Sequence, residues 1–150
     1  MRQKRIALVA HDKQKQDLVN WVERNAKALY KHKLICTGTT GRLIKEMFLE
    51  KYPDFTVEMV LLKSGPLGGD QQLGALIANQ EVDFLFFLTD PMTPQPHDVD
   101  VKALIRMAII YNIVMACNLT SADYIINSSL FGADYKPAVQ DFSKYITRKC

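Results

Sequence analysis

Cysteine is scarce in this chain: there are three, Cys36, Cys117 and Cys150. They show neither CxxC spacing nor an even framework, which excludes a disulfide-stapled secreted module and points to reduced thiols in a cytosolic protein. Long apolar runs are absent too. None approaches the ~20 residues of a membrane span. The run behind the basic start, Ile6–Ala10, is shorter than the ~7–15 residues of a secretory h-region and reads as a first strand. A surplus of one charge sign is also missing. The formal net charge is +3, from 19 basic and 16 acidic residues, too small and too mixed to argue for nucleic acid. Repeats, linkers and low-complexity segments are absent, as is the nucleotide-binding spacing GxxxxGK[ST]. The expectation is a cytoplasmic protein without nucleic-acid or membrane partners.

What remains is globular. Of 150 residues, 48% are hydrophobic and 23% charged, the composition of a folded domain and not of disorder. A chain of this size buries roughly 70% of its unfolded surface, so residues 1–150 are expected to form a single domain. Short apolar runs alternate with longer amphipathic ones. Strands are expected at Arg5–Ala10, Leu34–Thr37, Thr56–Leu62, Asp83–Leu88 and Ile113–Cys117. Helices are expected at Gln14–Tyr30, Thr40–Glu50, Gln71–Gln80 and Val101–Tyr111, with closing helices at Thr120–Asn127 and Val139–Arg148. Strand–helix alternation of this kind predicts a three-layer α/β/α sandwich with a parallel sheet. Right-handed crossovers divide the helices between its two faces, and ligands bind beyond the carboxyl ends of the strands, near the switch in strand order.

The loops at those ends are rich in chemistry. His11-Asp12-Lys13-Gln14-Lys15 follows the first strand, and Thr37-Gly38-Thr39-Thr40-Gly41 follows the second. Ser64-Gly65-Pro66-Leu67-Gly68-Gly69-Asp70 follows the third, and the segment from Asp90 to Asp100 the fourth. The Thr37–Gly41 loop opens directly into a helix. Exposed helix N–H groups and the macrodipole favour an anion there, and Thr39 and Thr40 add hydroxyls; the plainer reading makes one of these threonines an N-cap. Ser64 and Gly65 offer a second donor set, and Lys15, one turn after His11, a positive charge. Together they look like a pocket for one phosphate. Asp70, behind Gly68-Gly69, is either an N-cap or a general base held by a flexible glycine pair. Asp12 and Asp90 end neighbouring strands and are expected to be buried, hydrogen-bonded carboxylates. Asp98 and Asp100 are expected to cap the helix near Val101. His97 sits in a loop restricted by Pro91, Pro94 and Pro96. The carboxylates around it do not match a zinc spacing.

These segments resemble the methylglyoxal synthases. The stretches that carry the resemblance are IALVAHDKQK at 6–15, TGTTG at 37–41, SGPLGGDQQLGALI at 64–77, and DP…PHDVDVKAL ending at Leu104. Leu88-Thr89 departs from the larger residues expected before Asp90, and the C-terminal tail is divergent, which leaves open any contact of the tail with a neighbouring subunit. The resemblance implies the strand order 3-2-1-4-5 and a carbon–oxygen lyase acting on dihydroxyacetone phosphate. It makes Asp70 the catalytic base and His97 the group that hydrogen-bonds the carbonyl oxygen and relays protons. Asp100 and His11 become polar groups around the reacting oxygens, and Lys15, Thr37, Gly38, Thr39, Thr40, Ser64 and Gly65 hold the phosphate. Family members are homohexamers without metal or organic cofactor, and inorganic phosphate inhibits many of them. Three rivals remain: a triose phosphate isomerase-type enzyme, a regulatory ligand-binding module of the same fold, and a phospho-accepting receiver. A receiver needs a lysine after its last strand, where Cys117-Asn118 supplies none.

Overall fold

The computed structural model describes residues 2–148. Five strands, β1 (Arg5–Ala10), β2 (Lys33–Thr37), β3 (Glu58–Leu62), β4 (Phe84–Leu88) and β5 (Val114–Ala116), form one sheet in the order β3-β2-β1-β4-β5. Every neighbouring pair is parallel, with Ile6 of β1 beside Leu34 on one side and Phe84 on the other. The order is the expected one. The physical origin of the layering is the strand period of two. Ile6, Leu8, Leu34, Cys36, Phe84, Phe86 and Leu88 face one helical layer, while Ala7, Val9, Ile35, Leu85 and Phe87 face the other.

The first layer contains α1 (Lys15–Arg24), which supplies Leu18, Trp21 and Val22, and α3 (Gly38–Lys51), which supplies Ile44, Met47 and Phe48. The second contains α4 (Gly69–Ala78), with Leu73 and Ile77, and α5 (Asp98–Ile110), with Val101, Leu104 and Ala108. The crossovers from β1 to β2 to β3 therefore lie on one face and those from β3 to β4 to β5 on the other. That change of face puts the switch point between β1 and β4, where two adjacent strands send their following loops in opposite directions and open a crevice.

Several expected elements differ in the structure. The helix expected over Gln14–Tyr30 is broken: a short 3-10 turn at Asp12–Gln14 precedes α1, and α2 (Ala26–Leu29) follows a break at Asn25. The Asn25 amide donates to the Trp21 carbonyl at 2.9 Å, the local competition with the backbone that makes asparagine a poor helix interior. The apolar pattern continues across the break because Ala26 and Leu29 still enter the same core. Helix α5 begins at Asp98, so Asp98 and Asp100 are not caps; they lie in its first turn, where carboxylates complement the positive helix end. Helix α6 (Leu119–Ile126) is close to expectation, and one turn, α7 (Ser129–Gly132), adds Phe131 to the core. The closing helix expected over Val139–Arg148 reduces to the single turn α8 (Ser143–Ile146). Val139, Tyr145 and Ile146 are exposed and Phe142 alone among the segment's aromatics meets another ring, edge-on to Tyr111, so little packing offsets the cost of helix nucleation there. Cys36 and Cys117 are free thiols; Cys150 lies outside the described residues.

Candidate active site

A cavity of about 270 Å³ opens at the carboxyl ends of the strands, around the switch point. Its floor includes Val9, Ala10 and Phe87; its walls include His11, Lys15, Thr37, Gly38, Thr39, Thr40, Ser64, Gly65, Asp70 and His97. These are all the residues expected from the sequence except Asp100, which instead lines a smaller groove between α4 and α5; Asp70 lines both hollows. Asp12, Pro66 and Gln95 also line the main cavity. Gln95 went unnoticed in the sequence. A polar residue between two prolines, Pro94 and Pro96, is the signal that would have found it, since a stiff backbone aims the side chain it carries.

Two glycines permit the close packing at the acidic side of the cavity. A Cβ on Gly65 would lie 2.9 Å from Nε2 of His97 and 3.2 Å from Oδ2 of Asp70, so any side chain there would press on both groups. A Cβ on Gly69 would overlap the Lys63 carbonyl oxygen, and the Gly69 N–H donates to the Ser64 carbonyl at 2.9 Å. Gly69 is therefore tightly enclosed, whereas Gly68, at a φ of +99°, has room around it. The pair delivers Asp70 into the second position of α4 as a buried residue.

Asp70 is not an N-cap. Gly68 occupies that position, and Oδ2 of Asp70 is buried with no hydrogen-bond partner. Burial pushes its carboxyl above the usual carboxylate range; the His97 ring opposes this and Asp100 adds to it. His97 is the cap residue of α5, and its Nε2 stands 3.7 Å from Oδ2 of Asp70, close enough to interact but too far for a hydrogen bond. Nδ1 of His97 is buried and unpartnered as well. A carboxylate of raised proton affinity beside a partly buried imidazole is an arrangement suited to proton transfer.

His11 faces His97 edge to face, with ring centroids 5.9 Å apart, and its Nδ1 accepts the Asp90 N–H at 2.9 Å. Burial, reinforced by His97, pushes its imidazole below the usual range, against the pull of Asp90, Asp12 and Asp98. The ring is therefore neutral at neutral pH, with its proton on Nε2, a buried donor that has no partner in the protein. The two loop carboxylates differ from each other. Asp90 is buried, and its Oδ1 accepts the Met92 N–H at 3.0 Å. Asp12, expected to be buried likewise, opens the 3-10 turn and has its side chain 94% exposed.

The third group of walls suits an anion. Helix α3 begins at Gly38 with Thr37 as its cap residue, and the Thr37 side chain makes no capping bond. Neither Thr39 nor Thr40 is the cap, so the plainer reading of those hydroxyls does not hold. Thr40 is completely buried with an unpartnered Oγ1. The Gly38 N–H already donates to the Lys63 carbonyl at 3.2 Å, so it is the next N–H groups of this 14-residue helix, with a buried free hydroxyl and the Lys15 ammonium, that face one small volume. The whole cavity brings together a buried carboxylate, two imidazoles, hydroxyl groups and one lysine. Among the described residues, no three His, Cys, Asp or Glu side chains converge as metal ligands.

Comparison with known proteins points to a single family. The MGS-like domain model matches residues 17–117. The methylglyoxal synthase of Oleidesulfovibrio alaskensis is 49% identical over 146 residues, covering 97% of this chain and 95% of the relative. That of Coxiella burnetii is 45% identical, covering 97% and 96%. The crystal structure of methylglyoxal synthase from Elizabethkingia anophelis superposes with a TM-score of 0.86 at 48% identity, over 99% of this chain and 93% of that one. Likeness at this level along nearly the whole of each chain, with the cavity formed from the quoted loops, leads to one assignment: the chain belongs to the methylglyoxal synthase family.

Proposed function

We propose that the protein converts dihydroxyacetone phosphate to methylglyoxal and inorganic phosphate, as a carbon–oxygen lyase acting on phosphates. The observation that carries this reading is the buried Asp70 carboxylate, whose Oδ2 has no hydrogen-bond partner and which shares one cavity with His97, His11 and the N-terminal end of α3. A carboxylate buried without a partner costs stability, and a substrate that supplies the partner explains why it is kept.

The phosphate enters the cradle of Lys15, Thr37, Gly38, Thr39, Thr40, Ser64 and Gly65. Asp70, ionised, takes a proton from C3; the burial that raises its proton affinity makes it a stronger base. Negative charge develops on the carbonyl oxygen at C2, where Nε2–H of His11 and the His97 ring are the available donors. His97 then relays protons between Asp70 and the ene-diolate oxygens. Asp100 acts from outside the cavity, by strengthening the base. The ene-diolate expels phosphate when its C1–O bond stands out of the ene-diolate plane, an orientation that a rigid cradle imposes. Base and donors suffice for these steps, and no metal or organic cofactor enters them.

On the family resemblance, the reading extends to a homohexamer inhibited by inorganic phosphate. A cytoplasmic location belongs to it as well. Among the described residues no helix is long and apolar enough to cross a membrane. Phosphorus NMR of dihydroxyacetone phosphate with the protein tests the reaction. Inorganic phosphate and methylglyoxal should grow in equal amounts. Glyceraldehyde 3-phosphate without free phosphate would make the protein an isomerase, and no turnover would favour a binding module.

A further inference from the structure

The cradle contains a cation that is already occupied. Lys15 is the one Lys or Arg side chain among the described residues lining the cavity. Its ammonium donates to Oδ1 of Asp12 at 2.6 Å, and the lysine side chain is 22% exposed against 94% for the aspartate. The pair thus has one foot in the cavity and one in water. The same bond holds the Asp12 carboxyl below its usual range. Any phosphate that takes Lys15 must therefore displace Asp12 or share the ammonium with it, and as phosphate leaves, Asp12 is in place to take the ammonium back. Among the described residues the Asp12 side chain makes no other hydrogen bond, and nothing packs it in place.

We propose that Asp12 is an internal competitor for Lys15: a positioning residue that sets how tightly the cavity holds phosphate and that eases the release of inorganic phosphate. The inference rests on the reading of the cavity as a phosphate site and adds a device to it. A reaction whose substrate and product share one anion cradle is slowed when the product phosphate is held too well. A carboxylate three residues from the lysine lowers affinity for both by the same factor, without touching the reacting carbon. Because the pair is largely solvated, the factor is modest.

The test is the binding of inorganic phosphate itself, measured by calorimetry on the full chain at fixed ionic strength, so that it does not depend on turnover. Asp12→Asn should tighten phosphate binding about three- to tenfold and lower KM for dihydroxyacetone phosphate in parallel, with a fall in kcat where phosphate release limits it. A residue that merely orients Lys15 or supports the loop would, when removed, weaken binding; that result, or no change, overturns the proposal. The second arm repeats the substitution in a Lys15→Ala background. There Asp12→Asn should leave phosphate affinity unchanged, because the contested cation is gone. An equal tightening in that background would mean through-space repulsion and not competition, and would overturn the proposal as well. Wild-type protein that binds no phosphate would remove the phosphate-site reading first and this inference with it.

Discussion

The Asp90 N–H donates to Nδ1 of His11 at 2.9 Å, and this one bond decides which nitrogen of His11 faces the cavity as a donor. A backbone donor cannot change its direction, so Nδ1 must be the acceptor and the proton of the neutral ring must reside on Nε2. His11→Gln places an amide N–H near the former Nε2 position, whereas His11→Ala leaves the carbonyl oxygen one donor short. We expect Ala to cost ~10²-fold in kcat, on the scale of removing one preorganised donor, and Gln to recover more than half of that loss. Steady-state kinetics of the pair would check this, and equal losses would mean that the donor at Nε2 has no part in the reaction.

Asp70→Asn should abolish turnover, by at least ~10³-fold, because an amide keeps the shape and cannot take the proton. Stability should move the other way. The folded-state carboxyl titrates above its unfolded value, so the wild type is most favoured while Asp70 is protonated, and loses stability as pH rises from the ordinary carboxylate range through the raised value. The amide has no such loss. Asp70→Asn should therefore be more stable at neutral pH, by roughly 1 kcal/mol or about 2–4 °C in Tm, and the difference should vanish in acid. Thermal melts at pH 7 and below pH 4 would show it; a lower Tm at pH 7 would mean that the carboxylate has a partner.

Gly65→Ala should damage catalysis without much damage to the fold. The added methyl would stand 2.9 Å from Nε2 of His97 and 3.2 Å from Oδ2 of Asp70, separating the two groups that must cooperate. A displacement on the order of 1 Å costs ~10²-fold. The loss should fall more on kcat than on binding of inorganic phosphate, because alanine keeps the backbone N–H by which Gly65 would contribute to the cradle. An alanine variant with wild-type kcat would show that the acidic side of the cavity has room to spare.

Thr40→Val should spare stability and weaken binding. The Thr40 hydroxyl is fully buried and unpartnered, so the isosteric valine removes a polar atom that the fold does not use. Binding of inorganic phosphate should weaken by about 1 kcal/mol, roughly fivefold, with Tm equal to or above that of the wild type. Destabilisation with unchanged phosphate affinity would assign the hydroxyl to the fold.

Much of this molecule was determined locally. The continuous apolar runs RIALVA and DFLFFL leave no polar face, and a strand of that kind must lie inside a sheet covered on both sides; they are β1 and β4. Strand–helix alternation then compels parallel pairing, and parallel pairing gathers the glycines, hydroxyls, His11, Asp70 and His97 on one rim. None of this needs long-range knowledge, because side-chain period and crossover handedness are properties of short segments. What depends on contacts distant in sequence was not legible. Asp12 and Asp90 looked alike, yet one is in water and the other buried: Asp90 is tied to His11 through its N–H and to Met92 through its carboxylate, whereas the Asp12 side chain reaches only Lys15. Asp100 resembled a cavity residue, but the first turn of α5 carries it to the far side of Asp70. The tail over Val139–Arg148 has helix-compatible residues, but beyond the contact of Phe142 with Tyr111 most of its large side chains are left exposed. The His11 tautomer, the raised proton affinity of Asp70 and the contest for Lys15 likewise exist only once elements far apart in the chain, or turns not readable from periodicity, bring named atoms within a few ångströms. Charge, burial and hydrogen-bond direction act through space, and the sequence orders residues only along the chain.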